Sequence, residues 1–323
     1  MIAFVLGLVL APAAASSPPP EVAEEAVPGR DPRAAIDEAI ALRRKGDAEG
    51  ARALLVELEP LIPEELTAWY LYQRGVCEEM AWRPDAARAF YDQVVALGTP
   101  ESVDARFRRA LVLEDMGQDA AALLDVLALA KVKGLDEDDE VTLALQRGIT
   151  EVNTGKVRKG VKRIDAALAK VEAGDTHRYM RAKARYTLAR ALLAEADGLR
   201  LDGPEKRGRR NNEQRARRVK AAEEQIVALV ALNEPEWILA SLVALGDSYV
   251  RWADDLEASP TPRKLSATQA LIYREQVGKY VANARTKAFH AYDQGVSLAT
   301  RLGWESPRVA TLKERRKGLE GVR

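Results

Sequence analysis

Residues 103–130 read Val-Asp-Ala-Arg-Phe-Arg-Arg-Ala-Leu-Val-Leu-Glu-Asp-Met-Gly-Gln-Asp-Ala-Ala-Ala-Leu-Leu-Asp-Val-Leu-Ala-Leu-Ala. Phe107, Ala110, Leu111 and Leu113 recur at the spacing of one helix face, and Leu123, Val126, Leu127 and Ala130 do so again after Gly117. The stretch is therefore two short amphipathic helices hinged at Gly117. Neither helix can bury its apolar face alone, so the unit requires neighbouring copies of itself.

Those copies are present. Turns between paired helices fall near Gly46, Trp82, Gly117 and Gly155, and a small residue early in each second helix falls at Ala51, Ala87, Ala122 and Gly160, in steps of 36, 35 and 38. Around these positions the first unit carries Leu42, Leu55 and Pro63, and the second Leu71, Gly75, Tyr91 and Pro100. The third carries Ala110, Leu113 and Val126, the fourth Gly148 and Ile164, and further on stands Leu245-Gly246-Asp247-Ser248-Tyr249. A two-helix period of about 34 with this Leu-Gly-x-x-Tyr core resembles the tetratricopeptide repeat family. The resemblance implies an all-α, right-handed α-solenoid of about six helix pairs, in which small residues such as Gly148 and Gly246 let neighbouring helices approach closely.

Outward from the repeats, residues 1–15 hold an apolar run, 2–10, followed by Ala13-Ala14-Ala15, the pattern of a secretory signal peptide, which predicts export to the periplasm. No Lys or Arg precedes the run, so either Met1 supplies the positive charge or the start lies upstream. Residues 16–32 carry five prolines and four acidic residues and predict a disordered tether. Four repeat units then cover 33–174. Residues 175–323 form irregular units: a helix over 177–199, a polar basic insertion that breaks the pair, and a second helix over 216–232. A sixth pair starts at Pro235 and is interrupted near Pro260 and Pro262. A long helix follows over 266–301, and a capping helix over 306–319 begins at Ser306-Pro307. This enlarged half resembles envelope tetratricopeptide proteins found with gliding-motility and transport machinery in Gram-negative bacteria.

The 49 basic and 49 acidic residues cancel, so any electrostatic partner has to be met by a local cluster. Residues 198–220 are one such cluster, with nine Lys or Arg against three Asp or Glu. Lys206, Arg207, Arg209, Arg210, Arg215, Arg217 and Arg218 are either a solvated helical tip or a docking patch for an anionic polymer, an acidic protein or a lipid surface. The aromatics that would stack nucleobases are missing there, which argues against nucleic acid. The acidic run 136–140 sits where a helix should start and reads as a capping turn. Cys77 is the single cysteine, and the two histidines, His177 and His290, are far apart, so neither an intrachain disulfide nor a His or Cys metal site is expected. His177 reads as an exposed first-turn residue. No phosphate-cradling Gly loop, Gly-x-Ser-x-Gly elbow or His-Glu-x-x-His pair occurs, so no catalytic residue, cofactor or metal is assigned.

The family resemblance places a concave groove along the first helix of each pair. Positions there that the pair itself does not require carry Trp69, Tyr72, Phe107, Leu111, Leu145, Tyr186 and Arg190. If exposed, they form a strip suited to a peptide segment of an envelope protein partner, and the expected function is a non-catalytic interaction scaffold. The alternative is that several are core between successive repeats.

Overall fold

The computed structural model describes residues 30–171 and 177–321, and every regular element among them is helical. In order these are α1 (Pro32–Arg44), α2 (Ala48–Leu58), α3 (Thr67–Met80), α4 (Pro84–Leu97), α5 (Glu101–Asp115), α6 (Asp119–Leu129), α7 (Glu137–Asn153), α8 (Val157–Leu168), α9 (Arg178–Asp197), α10 (Glu205–Val230), α11 (Pro235–Glu257), α12 (Ala267–Leu302) and α13 (Pro307–Leu319). The signal segment and nearly all of the tether lie outside the described residues. The chain divides into two compact units, one ending at His177 and one beginning at Arg178. The first is a stack of four helix pairs, α1/α2 to α7/α8. The second contains α9/α10 and α11/α12, with α13 packed on the latter pair.

The four inter-helix turns sit at the positions read from the sequence, and each is a left-handed residue: Gly46 (φ 89°), Trp82 (φ 56°), Gly117 (φ 72°) and Gly155 (φ 82°). The next residue's N–H then donates five residues back, Asp47 to Leu42, Arg83 to Glu78, Gln118 to Leu113 and Lys156 to Glu151. This is the Schellman bond that satisfies helix-end carbonyls. Trp82 holds the conformation at a cost of roughly 1–2 kcal/mol that a glycine would avoid.

Within a pair, the helices meet where the first has no side chain. A Cβ at Gly75 would lie 2.6 Å from the Tyr91 ring, one at Gly148 would lie 2.7 Å from Ile164, and one at Gly246 would overlap the Tyr292 ring. Both tyrosines are buried, and each donates its hydroxyl proton to a carboxylate on the facing helix, Tyr91 to Glu79 at 2.8 Å and Tyr292 to Asp247 at 2.7 Å. Burial first, and the neighbouring carboxylate second, push both phenols above their ordinary pKa. Cys77, on α3, is buried, and its thiol is pushed up to about 11 by that burial, so it behaves as a small apolar group.

The second unit departs from the reading in one helix and agrees in two. α10 starts at Glu205, not at 216: the basic stretch is good helix former from Glu205 on, so it extends the helix and only residues 198–204 turn. The long helix α12 opens at a capping box in which Ser266 and Gln269 exchange side-chain and backbone bonds. In α13, Val309 and Leu312 are buried, Leu312 fills the space over Gly295 and Leu319 packs partly buried against the core, while the opposite face is exposed, as a terminal cap requires. His177 is a further correction. It is a turn residue (φ 58°) with its ring folded against α7, Nδ1 at 2.8 Å from Thr142 Oγ1 and Nε2 at 3.2 Å from Asp138 Oδ1.

Replacing Gly246 with Ala should lower the urea midpoint by the equivalent of ~1–3 kcal/mol through overpacking, although Ala is intrinsically the better helix former by about 1 kcal/mol. Combining it with Tyr292→Leu should cost less than the two single changes together, because the ring that Cβ meets is gone. Strict additivity would show that the crossing is not where the strain falls.

Candidate functional site

In the first unit, the anticipated strip resolves into two kinds of position. Phe107 and Leu111 on α5 and Leu145 on α7 are buried, so they do not form an exposed apolar strip. The physical reason is that these helices have a repeat on either side, and the face that a pair leaves spare is taken up by the next repeat. Trp69 and Tyr72, three residues apart on α3, are half-buried and keep part of their surface in water. The Trp69 ring rests on the α1/α2 core with the Arg33 guanidinium 5.3 Å from its centroid. Tyr72 lies 6.1 Å from the Tyr91 ring, and its hydroxyl accepts from Arg108 Nε at 2.9 Å.

Beside these rings runs a polar seam that the apolar pattern did not announce. Arg108 also donates to Glu79 at 3.1 Å, and Glu114 accepts from Gln146 Nε2 at 2.8 Å and from Thr150 Oγ1 at 2.5 Å. The seam thus links α3 to α5 and α5 to α7. Tyr72 and Arg108 are 36 residues apart, and so are Glu114 and Thr150. That spacing equals a repeat step, and it is the signal by which the seam could have been found. Arg43, at the end of α1, lies partly buried near the same groups. Burial, and next the charge of Arg108, lower its pKa, and among the described residues it has no carboxylate partner.

The other two candidates belong to the second unit. Tyr186 on α9 is half buried, its ring 5.5 Å from that of Trp237, and the Arg190 guanidinium lies 5.7 Å from the Tyr186 centroid. Lys183 and Arg308 approach the Trp237 ring at 5.6 and 5.3 Å. Trp237 itself is core, so this is an aromatic shelf edged by cations.

The basic cluster also divides. Arg215 has no exposed side-chain surface: it donates to Asp255 at 2.5 Å and to Asp197 at 3.3 Å, with Trp252 5.9 Å beneath the guanidinium. Asp197 accepts from Ser248 and Arg251 as well, both at 2.7 Å. Arg215 therefore ties α9, α10 and α11 together and is withdrawn from the docking patch. Arg218 pairs with Glu195 at 3.0 Å, and Arg209 lies 4.0 Å from Glu213. Lys206, Arg207, Arg210 and Arg217 are exposed and have no ion-pair partner among the described residues. Among those residues, too, no three His, Cys, Asp or Glu side chains converge as a metal would need, and no helix is long and apolar enough to cross a membrane.

No protein-family model matches the chain, and no curated protein matches it. Among solved structures it is similar to a tetratricopeptide repeat protein of Parabacteroides merdae, with a TM-score of 0.44 and 16% identity over 89% of this chain and 98% of that one. The C-terminal part of a repeat protein of Cytophaga hutchinsonii gives 0.41 and 12% over 89% and 96%. A repeat protein of Bacteroides fragilis gives 0.35 and 12% over 79% and 99%. The helix pairs, the left-handed turns and the glycine crossings define this chain as an all-α, tetratricopeptide-like protein.

The two arginines α10 contributes at 215 and 217 should separate cleanly. Arg215→Ala should cost roughly 3 kcal/mol in urea unfolding, since it empties a fully buried site and removes the tie between Asp197 and Asp255. Arg217→Ala should stay within about 0.5 kcal/mol of the parent. Equal effects would mean that Arg215 is a surface charge after all.

Proposed function

We propose that the chain is a non-catalytic interaction scaffold whose first unit holds a segment of a protein partner along the α3 and α5 face. The observation that carries this is the grouping of half-buried Tyr72 with the partnerless cation of Arg43 and the fixed charges of Arg108 and Glu79, with half-buried Trp69 one turn before it on α3. Rings that keep part of their surface in water gain when a partner covers them, and a cation without an acid nearby gives an acidic side chain somewhere to go. The fully buried charges Arg215 and Glu151 are engaged in bonds between helices, which supports a structural use of charge over a catalytic one.

The setting we propose is the periplasm of a Gram-negative cell, in an envelope complex. Support comes from the apolar run before Ala13-Ala14-Ala15 and from the resemblance of the enlarged second half to envelope proteins of gliding-motility and transport machinery. Mass spectrometry of the protein from a periplasmic fraction should find an N-terminus close to Ser16. Recovery of the unprocessed chain from the cytoplasm would overturn the setting.

Partner capture tests the face itself. A photo-crosslinker in place of Tyr72 in intact cells should give a discrete adduct with a protein. Arg43→Gln should weaken capture of that protein by about tenfold or more, the loss of one charge-assisted contact, while leaving the urea midpoint unchanged. Capture indifferent to both Arg43→Gln and Tyr72→Ala would place the binding surface elsewhere.

A further inference from the structure

At one end of the second unit, two helices run on past the helix that lies between them. α11 stops at Glu257, and its last two turns are level with residues 212–215 of α10: Trp252 donates its indole N–H to Asn212 at 2.8 Å, and Asp255 accepts from Arg215. α10 begins at Glu205, so its first seven residues, about 10 Å of helix, project beyond that level. On the other side Glu257 pairs with Arg285 of α12 at 2.7 Å, yet α12 begins at Ala267. Its opening turns are held chiefly to the loop that leads into them. Arg274 reaches the Thr261 hydroxyl at 2.6 Å and the carbonyls of Glu257 and Ser259 at 3.4 and 2.9 Å.

The surfaces these two arms present are unlike. The α12 arm exposes Leu271 to 72%, Ile272 to 53% and Tyr280 to 66%, while Val277 and Val281 on its other side are buried. The α10 arm and the loop before α12 expose Lys206, Arg207, Arg210, Arg263 and Lys264, none at ion-pair distance from an acid among the described residues, although the charge of Arg207 still reaches Asp202. The acids nearby are largely spoken for, Asp202 by Arg200 and Glu275 by Lys279. One end of a unit thus carries large apolar side chains in water beside a surplus of free cations.

Three kinds of occupant could cover such a surface, and the residues discriminate among them. A soluble polyanion would use the cations and leave Leu271, Ile272 and Tyr280 in water. A second copy of the chain, docked face to face, would bring the same unpaired cations against themselves. An anionic bilayer uses both: its interface accepts apolar and aromatic side chains, and its headgroups attract basic residues at about 1 kcal/mol each. We propose that this end of the second unit docks peripherally on an anionic lipid surface, with Leu271 and Ile272 entering the headgroup region and the five cations engaging lipid phosphates. The contact is independent of the partner face in the first unit.

The test is co-sedimentation of the full chain with vesicles of phosphatidylcholine alone and of equimolar phosphatidylcholine and phosphatidylglycerol. Pelleting is expected with the second and not the first, and it should weaken as salt is raised. The variant K206Q/R207Q/R210Q should lose about fivefold in vesicle affinity per cation removed. The variant L271S/I272S should lose about tenfold or more by giving up its apolar insertion. All five positions are exposed, so far-UV circular dichroism and the urea midpoint should match the parent, and the two variants report independently. Arg43→Gln should leave pelleting unchanged, which keeps this outcome apart from that of the partner face. The proposal is overturned by absence of pelleting with the anionic vesicles. It is overturned equally by pelleting that L271S/I272S does not alter and heparin abolishes, the behaviour of a polyanion site. A dimer in light scattering that L271S/I272S dissolves, without vesicle binding, would assign the arm to a second copy instead.

Discussion

At Gly75, Gly148 and Gly246, the backbone of one helix is met by Tyr91, Ile164 and Tyr292 of its partner, closer than any Cβ would allow. Much else in each unit follows from that approach. Two helices this close shield each other's apolar stripe over a short length, which is why pairs of 11 to 17 residues suffice in the first unit. The price is a buried phenol, and it is met in both places by a carboxylate on the glycine helix, Glu79 one turn past Gly75 in α3 and Asp247 next to Gly246 in α11. The second unit, with its longer helices and later sequence, uses the same solution as the first.

Apolar packing lets repeats slide; hydrogen bonds have direction and do not. Between repeats of the first unit the directional contacts include the seam bonds, two of which join residues one repeat step apart, Tyr72 to Arg108 and Glu114 to Thr150, together with Arg52 to Glu78 and Ser102 to the Val94 carbonyl. Within the last pair of that unit, Glu151 does similar service, accepting from Arg163 at 3.0 Å and pairing with Lys159 and Arg147. Burial by itself would raise the Glu151 pKa, but the bonds from Arg163 and Lys159 outweigh it and hold the carboxyl below its ordinary range. A chain with 49 charges of each sign and no net charge thus spends many of them internally.

What could be read from the residues alone was whatever two neighbouring helices decide between themselves. Gly46, Gly117 and Gly155 mark left-handed turns by residue type, and Trp82 was found only through the period. Ser266 and Gln269 announce the start of α12 locally, as Ser306-Pro307 does for α13. Properties that need a third helix were not legible. Phe107, Leu111 and Leu145 look spare when their pairs are read alone, yet all three are buried in the stack. Arg215 has the sequence surroundings of a surface charge, in a run of nine basic residues, and becomes core because Asp197 and Asp255 arrive from helices 18 and 40 residues away. Arg43, Arg108 and Glu114 carry no apolar periodicity at all, so a search for hydrophobic stripes passes over them.

The two helices that overhang α11 owe only part of their extra length to packing. The core of the second unit takes up α12 from Val277, with Tyr273 partly buried against it, and α10 from Arg215, and the remaining residues before those points bury little. Each ordered residue there costs conformational entropy of about 1–2 kcal/mol that burial does not return. Local bonds offset part of it: the Ser266 capping box, the ties of Arg274 to the loop, and the Glu275–Lys279 pair at 2.9 Å. A helix selected for stability alone would close on α11 and place polar residues where Leu271, Ile272 and Tyr280 stand, because each of these side chains forgoes about 1.5–3 kcal/mol of burial by remaining in water. Their persistence beside unpaired cations is what a surface completed by something outside the chain would look like, and it sets this end of the unit apart from the α13 end, where Trp304 and Arg308 are bound to Glu236 and Leu312 closes the core over Gly295.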